Sequence, residues 1–302
     1  MTHLQAALLV MTGGLFMSFA GLVLRLIEEA TPIQILVYRS FALALAVVVI
    51  ACLKRRQSLR AFLASLNGED VIMGLFMAGA FSFYVYSILN TTVASTLFLL
   101  AAGPFAAALI GWVWINERPR LVTLITMVVA IVGVGIMVWD GFASDRWFGN
   151  AMALVSVLCF SIALVYVRRC KRPDMLGGTF LGGAFASLGN AVLALILGQG
   201  LVLTAPDLAI SLASGLLTIG IGMAFVIWGA SHLPAAEVAI LALTESVAGP
   251  LWVYFVLGET ASLPVLVGGA IVMASVIGQA WFARSPQHRA VRDTVGYREA
   301  KR

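Results

Sequence analysis

One carboxyl group stands where a carboxylate is costly. Glu245 lies in the apolar run from Ala235 to Leu257, about ten residues from either end. If that run is helical, a rise of 1.5 Å per residue sets Glu245 about 15 Å deep, close to the midplane of a bilayer. A charge there costs roughly 2.5–3.5 kcal/mol on insertion scales, so the side chain is expected to face a cavity or a partner. Three kinds of chemistry suit it: recognising a substrate amine, carrying a coupling proton, or hydrogen bonding as a neutral acid in a structural role.

Two aromatic stripes accompany it. Phe83, Tyr86 and Asn90 recur, at an offset of 142 residues, as Phe225, Trp228 and His232. Spacings of three and four put each trio on one helix face. Interfacial aromatic belts would account for either trio alone, but their correspondence favours the wall of one shared substrate-binding pocket. Ring faces with a few polar atoms suit a small amphipathic solute, and Tyr84 and Ser87 flank the first stripe. His232 sits beside Pro234 at a helix end, with Glu237 a candidate partner. Gly103-Pro104 and Gly249-Pro250 fall inside apolar runs. Proline frees a carbonyl and glycine permits a bend, so both pairs are candidate hinges. Arg39, one to two turns into its own run, is expected to snorkel outward or pair with Glu28 or Glu29.

The elements that must position these residues follow from composition. Of 302 residues, 61% are hydrophobic and only 11% charged, too much apolar surface for a soluble domain to hide. Ten apolar runs stand out, roughly 4–27, 33–53, 69–90, 94–115, 121–140, 149–169, 176–198, 208–230, 235–257 and 263–284. About twenty residues of helix cross the hydrocarbon core, and a helix satisfies its own backbone in lipid. The N-terminus lacks a basic segment and a processing site, so residue 4 onward reads as the first span. Sixteen of the 19 Lys and Arg residues fall on one side: the connections after spans 2, 4 and 6, and the tail. That bias predicts both termini cytoplasmic and an even number of spans. It also accounts for the net charge of +5 without any nucleic-acid partner.

Aligning Glu117 with Glu259 pairs span 3 with span 8 and span 4 with span 9. Two halves of five spans enter the membrane from opposite sides, because five is odd. The expected fold is therefore an all-α membrane protein, ten transmembrane helices as two inverted five-helix repeats. Its halves are 1–145 and 146–284, followed by a polar basic tail, 285–302. Ala102-Gly103-Pro104 and Ala248-Gly249-Pro250 sit four residues off this register, about one helical turn, and Ser246 takes the place paired with Pro104. Gly178 and Gly182 make a GxxxG motif in span 7, read as packing inside a monomer. Trp112, Trp114, Trp252 and Tyr254 read as interfacial anchors.

The motifs Trp114-Ile115-Asn116-Glu117-Arg118 and Val256-Leu257-Gly258-Glu259-Thr260 each precede a glycine-bearing span, Val132-Gly133-Val134-Gly135 and Leu266-Val267-Gly268-Gly269. With Tyr38-Arg39-Ser40 in span 2, they resemble the EamA-type ten-helix transporters of the drug/metabolite transporter superfamily, over roughly residues 4–284. Within that superfamily the chain looks most like the YddG-type exporters of aromatic and other amino acids. The resemblance implies a central cavity walled by spans 1, 3, 4, 6, 8 and 9, and a bacterial-type inner membrane as its location.

Two classes of function were open, transporter and intramembrane enzyme. No GxxxxGK[ST] loop serves nucleotide hydrolysis, and the histidines, His3, His232 and His288, show no zinc-ligand spacing. Cys52, Cys159 and Cys170 form no CxxC pair. No cofactor and no metal is expected. The reading is a secondary transporter exporting aromatic and other amino acids by alternating access, with membrane lipid as its surroundings. The alternative is export of cationic drugs or quaternary ammonium compounds, through charge pairing and cation–π contact. The topology makes one prediction. Cysteines placed at Ser58 and Ser144 will label from opposite sides of the membrane. Equal labelling of both by an impermeant reagent from outside would overturn the ten-span arrangement.

Overall fold

Four of the first spans begin on a hydroxyl or amide that holds the orphan backbone donors of a helix start. Thr2 and Gln5 close a capping box on span 1, Thr31 and Gln34 on span 2, Asn67 and Asp70 on span 3, while Thr92 caps span 4. The computed structural model describes residues 2–117, 119–170, 174–230, 232–233 and 235–283. Among them, ten helical stretches are long and apolar enough to cross a membrane. They are span 1 His3–Arg25, span 2 Pro32–Arg55, span 3 Gly68–Asn90, span 4 Val93–Ile115, span 5 Leu121–Ala143, span 6 Trp147–Arg169, span 7 Leu176–Ile196, span 8 Ala205–Ala230, span 9 Ala235–Leu257 and span 10 Leu263–Ala283. A short helix, Leu59–Ala64, lies between spans 2 and 3. The tail expected at 285–302, Arg118, Lys171, Arg172 and Pro234 lie outside the described residues.

Two spans are not regular. Span 4 is two helices, Val93–Leu100 and Gly103–Ile115. The ring of Pro104 would clash with the carbonyl four residues earlier, and that residue, Leu100, is where the first helix stops. Span 8 passes through a π-helical segment, Ser214–Ile221, between Ala205–Ala213 and Gly222–Ala230. By contrast, Pro250 sits inside a helix that runs on unbroken from Ala235 to Leu257. The two glycine–proline pairs therefore differ in what they do to the backbone.

The packing is itself a repeat. Span 3 lies on spans 6 and 7, and its counterpart, span 8, lies on spans 1 and 2. Spans 2 and 7 pack on each other, as do spans 5 and 10. Gly133 and Gly268 mark the last of these contacts: a Cβ on Gly133 would stand 2.7 Å from the Gly268 carbonyl oxygen, and one on Gly268 would stand 2.6 Å from that of Gly133. Only glycine on both sides allows so close a crossing. The GxxxG of span 7 is used inside the bundle, where Gly178 meets Met73 and Gly182 meets Met77 of span 3. Large apolar side chains such as Val128, Trp139 and Phe255 are exposed around the outside, which suits lipid as the solvent.

Polar groups gather at the two ends of the bundle. At one end the Asp207 carboxylate accepts the backbone N–H groups of Glu28, Glu29 and Ala30, fixing the turn between spans 1 and 2. Arg25 stands 3.1 Å from Glu259 and donates to the Thr91 carbonyl at 2.6 Å, while Glu259 accepts the Val93 N–H at 2.7 Å. At the other end Arg168 stands 3.5 Å from Glu117, Arg55 2.8 Å from Asp174, and His3 2.7 Å from Glu237. Arg25–Glu259 and Arg168–Glu117 are related by the repeat: each joins the end of span 1 or 6 to the end of span 9 or 4. They are not equal. The first is partly buried, with 26% and 21% of its side chains exposed, and the second is open, at 47% and 55%. Partly buried charge-assisted contacts outweigh exposed ones. Glu259→Ala is expected to lower the stability of the purified protein by about 1–3 kcal/mol, and Glu117→Ala by less than about 1 kcal/mol. Equal losses in thermal unfolding would show that burial does not set the strength of this pair.

Candidate functional site

Three interior side chains, Arg39, Tyr84 and Glu245, come from spans 2, 3 and 9. Glu245, in mid-span 9, is half-buried. Span 1 lies close against it, because Gly14 would place a Cβ 3.4 Å from Thr244 and 3.7 Å from the Glu245 backbone nitrogen. Arg39 and Tyr84 lie within electrostatic range of it.

Arg39 corrects the expectation drawn for it. It neither snorkels outward nor pairs with Glu28 or Glu29. It is 0% exposed, and its guanidinium lies over the Tyr84 ring, 5.3 Å from the centroid. Outward reach is blocked because span 2 is wrapped by spans 7 and 8. The π segment of span 8 presses on it directly: a Cβ on Gly215 would collide with the Arg39 carbonyl. Among the described residues, none of Nε, Nη1 and Nη2 of Arg39 meets an acceptor, and the Tyr84 hydroxyl also has no partner. The Oγ atoms of Ser40, next to Arg39, and of Ser211, on span 8, are buried and unpartnered as well. An unsatisfied buried donor costs about 1–3 kcal/mol, more for a charged group, so such a set calls for an explanation.

The aromatic stripes occupy matching places in the two halves. Phe83 lies beside Gly79 of its own span, where span 6 brings Cys159, and Phe225 meets Phe16 of span 1 edge-on at 5.8 Å. Tyr86 is half-buried against the cluster of Leu22, Leu24, Ile35 and Leu36. Trp228 keeps 39% of its surface exposed. The polar members end up far apart. Asn90, exposed, donates to its own helix at the Tyr86 carbonyl, 2.7 Å away, beside Thr91 at one end of the bundle. His232, exposed, stands 3.2 Å from the Trp228 carbonyl at the other end. The two stripes thus run from the interior to opposite ends. Trp252 is more than an interfacial anchor: it stacks on Phe19 at 4.8 Å and donates to Ser18 Oγ at 2.9 Å.

Gly103 and Pro104 start the second half of span 4, and Gly249 packs against Leu97 of its first half. Among the described residues, no group of three or more His, Cys, Asp or Glu side chains could hold a metal ion. Sequence reasoning passed over Asn150, which is buried and accepts from Thr91 Oγ1 and Ser95 Oγ while donating to the Met137 carbonyl. An asparagine near a helix start carries no signal of its own; only the fold shows that it ties spans 3, 4, 5 and 6 together. A guanidinium, a carboxyl group and aromatic faces in one interior can hold an anion, a cation and a ring.

Comparisons with known proteins bear on this arrangement. The model of the EamA-like transporter family matches the chain twice, over residues 4–139 and 147–280. An uncharacterized transporter of Archaeoglobus fulgidus is 27% identical over 202 residues, which cover 64% of this chain and 69% of that one. A crystal structure of another protein superposes with a TM-score of 0.65 at 18% identity, over 94% of this chain and 100% of that chain. At that identity the likeness speaks for the fold alone.

Proposed function

The chain belongs to the EamA-like transporter family, whose members move small molecules across membranes, and on that footing we propose that it exports aromatic and other amino acids by alternating access. The observation that carries this reading is Glu245, half-buried in mid-span 9 within the field of Arg39. A carboxyl group kept in a membrane interior is expensive unless it does something. Its place suits the amine of a substrate, and Phe83, Tyr86, Phe225 and Trp228 supply ring faces for an aromatic or aliphatic side chain. Asn90 and His232, at opposite ends, would flank the two entrances.

The break in span 4 at Gly103-Pro104 is the natural bending point, with Gly249-Pro250 its weaker counterpart. In this reading the protein is a monomer in a bacterial-type inner membrane. The halves 1–145 and 146–284 move against each other, and the Lys and Arg bias holds both termini in the cytoplasm. Export of cationic drugs is the rival reading. It is disfavoured by Arg39, a fixed positive charge in the same interior.

Glu245→Gln keeps shape and hydrogen bonding but removes the charge. If Glu245 binds the amine, amino-acid flux into proteoliposomes falls steeply in both net transport and counterflow exchange. If it carries a coupling proton, accumulation driven by a pH gradient is lost while exchange survives. Full activity in both assays would remove Glu245 from the mechanism. Tyr86→Ala and Trp228→Ala are each expected to cut flux while leaving folded yield largely intact. Normal flux in both would make the stripes lipid belts or packing.

A further inference from the structure

Six buried polar atoms with no protein partner belong to Arg39, Ser40, Tyr84 and Ser211. They lie within the spans, whereas the two other buried side-chain atoms without a hydrogen bond among the described residues, Arg25 Nε and Gln57 Nε2, stand at span ends. Seven residues into span 2, Arg39 is about 10 Å below the end marked by Pro32. Tyr84, six residues before the end of span 3, stands about 9 Å from the same end, so guanidinium and phenol share one level. Glu245, twelve residues before the end of span 9, lies about 18 Å from that same end. The fold therefore stacks a cationic fork and a hydroxyl donor above a carboxyl group, with aromatic rings beside them.

We propose that Arg39, assisted by the Tyr84 hydroxyl, is the carboxylate-binding site of this transporter, so that its substrates are zwitterions carrying a carboxylate and an amine on one small body. The proposal rests on the amino-acid reading above and deepens it. A guanidinium is always charged and presents a planar set of donors that matches a carboxylate in two parallel hydrogen bonds. Arg39 is fully buried, so nothing but a bound anion or water can complete that set. The Tyr84 ring, 5.3 Å from the guanidinium carbon, covers one side of it, so a carboxylate would have to come from another. With Glu245 deeper in the bundle, a substrate whose carboxylate meets Arg39 points its amine toward span 9. A simple cation gains only one of the two contacts and meets repulsion from Arg39. This gives discrimination between amino acids and amines without any steric device, since a buried charge left without its partner is costly.

The full-length purified protein in detergent tests this by ligand-induced thermal protection. Three probes separate the groups: phenylalanine, 3-phenylpropionate with a carboxylate but no amine, and phenethylamine with an amine but no carboxylate. The wild type is expected to be protected by phenylalanine and by 3-phenylpropionate. Arg39→Gln is expected to need at least about tenfold more 3-phenylpropionate for the same protection, while phenethylamine protects at the same or a lower concentration. Arg39→Lys should recover part of the loss, because it restores charge without the fork. Tyr84→Phe removes a single hydroxyl, and should weaken the acid a few-fold, which decides the matter if Arg39→Gln does not fold. A merely structural Arg39 would weaken acid and amine alike, and that result would overturn the assignment. So would unmoved acid titrations in Arg39→Lys and Tyr84→Phe. Phenylalanine flux through wild-type proteoliposomes separates the two levels. Flux together with an unmoved acid titration sinks only the Arg39 site, whereas no flux and no protection by any probe overturns the amino-acid reading and this site with it.

Discussion

Hydrocarbon offers no hydrogen bonds, so every polar group inside this bundle must find its partner in the chain or do without. Most of them find one. Ser87 and Thr96 share a hydrogen bond of 2.8 Å between spans 3 and 4, Ser156 donates to the Ala80 carbonyl, and Ser187 to that of Val37. Asn150 gathers three bonds and Asp207 three more. Against that background Arg39 is exceptional, since it carries the largest fully buried polar side chain and satisfies none of its guanidinium nitrogens within the protein. A structural role would be better served by almost any apolar residue of the same size. The cost of burying Arg39 is what separates the interior of spans 2, 3 and 9 from the rest of the core.

The same bundle shows how a repeat can be symmetric in plan and unequal in detail. Both Arg–Glu pairs connect corresponding span ends, yet Arg25–Glu259 is drawn together by a backbone carbonyl and a backbone N–H, and Arg168–Glu117, among the described residues, has only the two side chains. Of the two repeat-related pairs, one is therefore part of a partly buried network and the other is open to water. Exposed pairs contribute little and are screened by salt. The difference arises from local packing, because the residue types at the two sites are the same.

Much of this was legible in the sequence. Continuous apolar runs of about twenty residues gave the ten spans, with ends within a few residues of those observed, because hydrophobic length and capping residues are local signals. Glu245 stood out for the same reason: depth can be counted along one run. Arg39 was misread because depth alone does not say which way a side chain faces. Hydropathy treats a helix as a cylinder, and only packing against spans 7 and 8 shows that outward escape is closed. The π segment at Ser214–Ile221 was illegible too, since Gly215, Gly220 and Gly222 in an apolar run equally fit a regular helix. The stripes were half legible. Their match at 142 residues marked repeat-related faces, but in an inverted repeat matched positions travel to opposite ends, which is why Asn90 and His232 do not meet.

The irregular helices sit where they can act on the interior charge. Leu97 belongs to the first half of span 4, one turn before the helix stops at Leu100. Its carbonyl accepts from Ser246 Oγ at 3.4 Å, and its side chain fills the space over Gly249. Ser246 follows Glu245 directly, so a change of angle at the Gly103-Pro104 break bears on the turn of span 9 that carries the carboxyl group. On the other side, the π segment of span 8 leans on the backbone at Arg39. A π segment has one residue too many for its turn and is relieved by modest shifts of the helix around it. The two charged side chains thus hang on two different irregularities, one in each half. Rotating the halves against each other would change the distance between guanidinium and carboxyl group, and a zwitterion that spans them would sense which way the halves are turned.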